Sequence, residues 1–415
     1  MNTFKLLAGC CFLSAMLAQN KLLAQPVIVK MAKDIKAGIA GSEPANLTSV
    51  NNLLFFTGDN GVNGNELWKY YPASGAASMV KDINNVGNAT SYPSNFKAGG
   101  STLYVRADDG TNGAEIWKSN GSSAGTVMIK NIAANDLSSG PKGLSYCNGR
   151  MFFNADDGIV GRELWKTDGT AAGTQLVKDL SVGIYIAVDY PQQLAAFDDV
   201  LYFSGRPSIA NSFPSLFKTD GTEAGTVGVP IDCYSPDGWK PHSMKKIGNN
   251  LFLCNGYPPI GCPDVIVGNE LLIKRTGGDK VELVKDINPG AEGSKPDSLT
   301  DIEGTCFFSA ENATSGRELW KSDGTEAGTI IVKNIEAGAA SSAPGLLTNV
   351  NGILFFTAQN TGTGRELWKS DGTTSGTVLV KDIVAGAGSS NPRNLLAMDG
   401  KLYFVAEDGI NGAEI

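Results

Sequence analysis

The sequence predicts an all-β fold assembled from repeated four-stranded antiparallel units, and three observations carry that prediction. First, a phrase returns at a fixed spacing: Glu318-Leu319-Trp320-Lys321-Ser322-Asp323-Gly324-Thr325 reappears 48 residues on as Glu366-Leu367-Trp368-Lys369-Ser370-Asp371-Gly372-Thr373. Second, turn signals of the hairpin type recur inside every unit. Third, the apolar runs between those turns are continuous, as expected of strands covered on both faces. Self-similarity at a period of 20–50 residues marks a repeat fold.

The period holds along the chain. The glutamates of the phrase fall at 66, 115, 163, 270, 318, 366 and 414, and the step from 163 to 270 contains a degenerate copy, Ser215-Leu216-Phe217-Lys218-Thr219-Asp220-Gly221-Thr222. Prolines at 44, 93, 141, 191, 241, 296, 344 and 392 keep the same beat.

The plan of a unit is clearest at 344–383. Its first strand, Gly345 to Val350, meets the second, Ile353 to Thr357, across Asn351-Gly352. Asn-Gly suits a tight hairpin because both residues accept positive φ. A glycine-rich loop, 359–364, leads into the third strand, Arg365 to Lys369. The turn Asp371-Gly372-Thr373-Thr374-Ser375-Gly376 then passes to the fourth, Thr377 to Ile383. An Asp side chain there bonds its own backbone, and glycine supplies the left-handed positions. In the third strand Leu367 and Trp368 point to opposite faces and so pack on different neighbours. Four antiparallel strands per unit, repeated around a ring, make a β-propeller.

The termini bear on how the ring closes. Lys33-Asp34-Ile35 precedes Pro44 by nine residues, as Lys381-Asp382-Ile383 precedes Pro392. Residues 27–35 therefore read as an orphan fourth strand, and 392–415 as a first and second strand with the start of a third. The expectation is eight blades: seven internal units at 44–83, 93–132, 141–180, 191–232, 241–287, 296–335 and 344–383, and one split unit, 392–415 completed by 27–35. Since siblings of Glu414-Ile415 continue with a bulky residue, the C-terminus reads as truncated. All of 25–415 then forms a single propeller domain.

The repeated phrase resembles the ELWxxDGT repeat of secreted bacterial proteins. Copies at 163–170, 318–325 and 366–373 match fully. The copy at 115 has Ile116 and Asn120-Gly121-Ser122, that at 66 lacks the Asp-Gly-Thr, and those at 215 and 270 carry Phe217 and Leu272 in place of Trp. The resemblance spans essentially 27–415. It implies a secreted or surface-attached repeat protein, often part of a larger chain with a C-terminal sorting region, and it brings no catalytic residues to transfer. A looser similarity is to sialidase-type propellers, whose Asp-box is a structural Asp/Gly hairpin.

Composition narrows the function. Hydrophobic residues make up 42% and charged residues 18% of 415, so the chain is globular; 51 glycines fit many turns. A net charge of −8 lacks the basic footprint of a nucleic-acid or anionic-membrane binder. Residues 1–24 read as a secretory signal peptide, with Lys5 ahead of an apolar run Leu6 to Ala18 and a small residue, Ala24, at the cleavage point. Leu7-Ala8-Gly9-Cys10 offers a lipoprotein box as the rival reading, but the apolar run follows the cysteine instead of preceding it. The expected location is outside the cell or on its surface, without membrane insertion.

Five cysteines follow the signal. Cys147 and Cys306 sit in apolar runs as core residues, while Cys233, Cys254 and Cys262 cluster, with Cys254–Cys262 the candidate disulfide across a Pro-rich insertion. His242, the single histidine, lies among them, yet the spacing fits no zinc motif, and no metal site is assigned.

Candidate sites lie on the two rims. The Asp-Gly-Thr turns gather on the hairpin side as structural turns. The opposite rim collects the loops 59–65, 108–114, 156–162, 311–317, 359–365 and 407–413, where oxygen-rich, glycine-bent chain makes calcium a candidate ligand; otherwise no cofactor is expected. The repeated Glu, the Lys after Glu-Leu-Trp and the Asp of Lys-Asp-Ile read as an inter-blade hydrogen-bond and ion network, since a reaction needs one asymmetric pocket and not many equal copies. Broken symmetry at 185–270, with Tyr234 to Trp239 and Tyr257 to Asp264, offers a place for a sugar or protein contact. No catalytic residue is assigned and the ligand-binding residues stay unknown. The functional expectation is a non-enzymatic binding or structural module for protein or polysaccharide at the cell surface. The alternatives are a polysaccharide-active enzyme and a calcium-dependent adhesin built on a rim.

Overall fold

The computed structural model describes residues 35–36, 41–134, 137–180, 192–205, 215–229, 241–255, 267–278, 281–408 and 413–414. All of its regular structure is β, and its sheets stand side by side around a central axis as the blades of a propeller. Seven of them have four antiparallel strands, spanning Ala45–Lys81, Ser94–Lys130, Lys142–Lys178, Gln192–Gly228, Pro241–Lys285, Asp297–Lys333 and Gly345–Lys381. The fifth blade is flanked by a short parallel pair, Val267–Asn269 with Gly290–Gly293.

The expected count of eight four-stranded blades is corrected to seven. The last sheet, Arg393–Met398, Lys401–Glu407 and Ala413–Glu414, has three strands. Its fourth was to come from 27–35, of which only Ile35 is among the described residues. This sheet nonetheless stands between the seventh blade and the first, its inner strand against both of theirs. Arg393 pairs with Glu43 at 3.0 Å, and the Asn394 amide donates to the Pro44 carbonyl at 3.4 Å. Asn46 of the first blade makes the same bond to Pro93 of the second.

Local chemistry accounts for each hairpin. In six of the eight sheets the first two strands meet at two left-handed residues, among them Asn51 and Asn52 in the first blade, Asp198 and Asp199 in the fourth, and Asn351 and Gly352 in the seventh. That backbone matches the right-handed twist of the flanking strands. Turns of the Asp-Gly-Thr type are built alike. In the sixth blade the Asp323 carboxylate accepts from the Thr325 amide and hydroxyl, and the Thr325 hydroxyl accepts from the Gly328 amide.

The core lies between blades. Phe55, Leu67 and Val80 of the first blade pack with Leu103, Val105 and Trp117 of the second. Phe307, Leu319 and Val332 of the sixth pack with Leu354, Phe356 and Trp368 of the seventh. Within a third strand the two large residues diverge, Trp117 toward the first blade and Ile116 toward the third. The last sheet obeys the same rule, with Met398, Tyr403 and Val405 packed on Leu54, Phe56 and Trp68, and Ile35 set against that cluster.

One close approach recurs where the loop between second and third strands meets the linker to the next blade. At Gly364, φ is +64° and an added Cβ would run into the Gly388 carbonyl. Gly386, at φ +81°, has open space around it. Gly364→Ala is therefore expected to cost about 2–4 kcal/mol in urea unfolding through strain and clash. Gly386→Ala should cost about 1–2 kcal/mol from the left-handed backbone alone.

Candidate functional site

The repeated glutamates are the most buried acids among the described residues: Glu66, Glu115, Glu318 and Glu366 are wholly inaccessible. Glu318 shows the pattern. Its carboxylate accepts from the Ile335, Glu336 and Ser342 amides at 3.0, 3.3 and 3.0 Å and from the Ser342 hydroxyl at 2.6 Å. Glu66, Glu115, Glu270 and Glu366 each hold an isoleucine amide and a serine in the same way. Burial pushes the carboxyl groups of Glu66, Glu115, Glu270 and Glu318 above their ordinary range, partly offset by these hydrogen bonds. Their lone pairs are occupied by donors of the fold, so their chemistry is structural.

The serine partner is the residue sequence reasoning missed. Ser91, Ser139, Ser294, Ser342 and Ser390 stand two positions before the repeated proline, and that offset was the available signal. Each is fully buried. Its amide and hydroxyl bind back to the glutamate, while its carbonyl accepts from the second strand of the next blade. Asp108, Asp156, Glu311, Gln359 and Glu407 are the amide donors. The residue between serine and proline, such as Tyr92, Lys295, Ala343 or Asn391, is left-handed, which turns the chain into the following strand.

The repeated lysines staple blade to blade, donating to carbonyls and not to carboxylates. Lys69, Lys118, Lys166 and Lys321 reach the turn glycines Gly121, Gly169, Gly221 and Gly372 of the next blade at 2.7–3.0 Å. Lys81, Lys130, Lys178, Lys285 and Lys333 reach Thr126, Thr174, Thr226, Thr329 and Thr377 at 2.8–3.1 Å. In the loops nominated for calcium, carboxylate and amide oxygens are engaged by nearby backbone. Asp109 accepts from Thr111 and Asn112, Asp157 from Ile159 and Val160, and Asn312 from Thr314 and Ser315.

Cys254 is a buried free thiol, packed in one cluster with Cys306, and burial raises both well above the ordinary thiol range. Cys262, its expected disulfide partner, lies outside the described residues, as do Cys233 and the segments 234–239 and 257–264. His242 is the second residue of the inner strand of the fifth blade.

Since the rim side chains named above are committed to structure among the described residues, the central channel is the candidate site. The first strand of each blade lines it, and in all eight of these sheets this strand carries a register shift near its start. At seven of the shifts stands a left-handed residue: Asn46, Asn95, Gly143, Gln193, Ser298, Leu346 or Asn394. Leucine is an unusual occupant of that backbone, and Leu346 is 45% exposed. Between the first, second, seventh and last sheets the channel holds a cavity of about 420 Å³, with Asn46, Asn95 and Asn394 beside Thr48, Phe96 and Leu346. Carboxamides and hydroxyls next to apolar side chains suit a ligand with backbone-like polar groups.

No family model matches the chain, and neither does any curated protein. Solved structures do resemble it. A puromycin hydrolase mutant is 13% identical, with a TM-score of 0.51 over 92% of this chain and 60% of its own. A prolyl endopeptidase is 11% identical, with 0.51 over 89% and 54%. Oligopeptidase B from Leishmania major is 12% identical, with 0.50 over 95% and 56%. The chain thus spans 54–60% of the length of these proteins, and the likeness is one of fold. Each of these neighbours is an enzyme by name, and they stand against two expectations, that of a non-enzymatic binding or adhesion module and that of a chain that is not an enzyme.

Two outcomes test the glutamate sites. Glu318→Ala strips four buried donors of their acceptor and is expected to cost about 3 kcal/mol in chemical unfolding, against about 1 kcal/mol for Ser342→Ala. The second outcome concerns pH. Glutamates with raised folded values bind protons more readily folded than unfolded, so stability falls as pH rises from about 4.5 through those values. Asp168, Asp220 and Asp323, lowered by their turn threonines, hold stability that is lost as pH drops below 3.8. The melting temperature should therefore be higher at pH 5 than at pH 7.5 and fall again below pH 3.5.

Proposed function

We propose that this chain is the propeller of an exported peptidase, with its channel receiving and orienting the peptide for a catalytic unit. The observation that carries the reading is the channel cavity, walled by carboxamides, hydroxyls and apolar side chains, on a frame of the shape that peptidase propellers share. The buried glutamates and the stapling lysines give a stiff ring, so the variable side chains of the inner strands are free to serve a ligand. Residues 1–24 carry the export signal in this reading. Ile35 packs on the first blade much as Ile83 packs on the second. Peptide and catalytic unit are then the partners, and the ELWxxDGT phrase is the sequence form of the blade.

The test is whether peptidase activity follows the chain. Immunodepletion of the natural full-length protein from the cells or medium that produce it should remove more than half of the hydrolysis of short fluorogenic peptides. The same activity should co-elute with the chain in gel filtration. Undiminished hydrolysis after complete depletion, with no activity in the fractions holding the chain, would overturn the proposal.

A further inference from the structure

Two side chains of the channel have no role in the frame. Lys97 and Lys245 occupy one register position on the inner strands of the second and fifth blades, opposite Tyr104 and Phe252 of their respective second strands. Elsewhere that position holds Thr48, Ser145, Ala195, Thr300, Thr348 and Leu396, all uncharged. Both lysines are exposed, and neither has a hydrogen-bond or ion-pair partner among the described residues.

The two blades are three positions apart around the ring, so their ammonium groups approach each other only across the channel. Crowding by protein, and secondarily the charge of Lys245, hold Lys97 below the ordinary lysine range. A residue can be open to water and yet crowded in this way when it projects into a narrow channel.

The acids of the inner strands leave this pair uncompensated. Asp301 accepts from the Gly248 and Gly304 amides near the hairpin end, and Asp297 holds the Ser298 amide at the start of its strand. A chain of net charge −8 thus places two bare cations at the middle of its channel. Like charges in a walled cleft focus field on a counter-ion, and Lys97 is the next residue on the strand that gives the cavity Asn95 and Phe96.

We propose that Lys97 and Lys245 together form an anion seat that receives the C-terminal carboxylate of a peptide lying in the channel. The inference rests on the reading of the channel as a peptide site and names the end of the peptide it holds. The carboxylate bridges the two ammonium groups and relieves their repulsion, while the neighbouring carboxamides and hydroxyls face the peptide backbone.

The experiment compares N-acetyl-Ala-Ala-Leu as the free acid and as the C-terminal amide by isothermal titration calorimetry at low salt. It uses the full chain, its Lys97→Gln and Lys245→Gln variants, and the double variant. The acid should bind at least ten-fold more tightly than the amide. Each single variant should reduce that preference and the double variant should abolish it. Both side chains are exposed, so the double variant should melt no lower than the parent without ligand, and only the parent should gain melting temperature on adding the acid.

Equal binding of acid and amide, no binding of either at millimolar concentration, or a preference that survives in the double variant would overturn the seat. Lysine-dependent binding of inorganic phosphate without binding of the peptide acid would overturn its assignment to a carboxylate terminus. If the preference appears while no peptidase activity follows the chain, the seat stands and the enzymatic reading falls; the reverse pattern removes the seat alone.

Discussion

Everything else in the ring depends on the buried carboxylate near the start of the third strand, present in six of the seven four-stranded blades and replaced by Ser215 in the fourth. Taking a charged glutamate out of water is costly unless donors replace the solvent. Here the replacement comes entirely from chain that follows it, namely an isoleucine amide 17 residues on and a serine amide and hydroxyl 24 or 25 residues on. One side chain thereby fixes the end of the fourth strand and the linker to the next blade together. The serine relays the constraint, since its carbonyl accepts from the neighbouring blade's second strand. Glutamate, serine and the next strand form one chain of hydrogen bonds that repeats around the axis.

The lysines and the aromatic residues act on the frame that this chain sets. With blade spacing fixed, a lysine ammonium has a reachable carbonyl on the adjacent blade, and its stem lies along apolar surface. Lys81 and Lys130 also pass over the rings of Trp117 and Trp165. Most of the burial energy comes from the clusters between blades, which join a Phe or Leu of one sheet to a Trp of the next. The ring closes by the same grammar, with Ser390 bound to Glu366 on one side and to the Glu407 amide on the other. The last sheet is a member of the ring even with three strands.

Much of this was legible in the sequence because the repeat writes each constraint many times. Asn351-Gly352 predicts a hairpin with left-handed residues, and the Leu-Trp pair predicts two opposed packing faces; both are found, the second with Trp320 and Leu319 in different clusters. The stapling role of Lys321 was legible as an inter-blade network, although its acceptor is a carbonyl and not an acid. Ser342 was not singled out, because a serine in a loop is common and its meaning lies in its offset from Pro344 and Glu318. The full blade count was not legible either, since it turned on 27–35 joining a sheet that begins at Arg393. Function was read as adhesion because repetition describes the frame. The channel is built from the residues in which the units differ, Lys97, Leu346 and Lys245 among them, and their convergence appears only when the strands are set around an axis.

Native-state hydrogen exchange at the amides bound by Glu318 tests the central claim most directly. If the buried carboxylate ties the blades together, the amides of Ile335 and Ser342 exchange only by global unfolding. Their protection should then equal that of Phe308 and Leu354 in the strands of the sixth and seventh blades, and should respond to denaturant with the full unfolding slope. Exchange of Ile335 and Ser342 through a local opening, independent of denaturant and many-fold faster than those strand amides, would contradict the account.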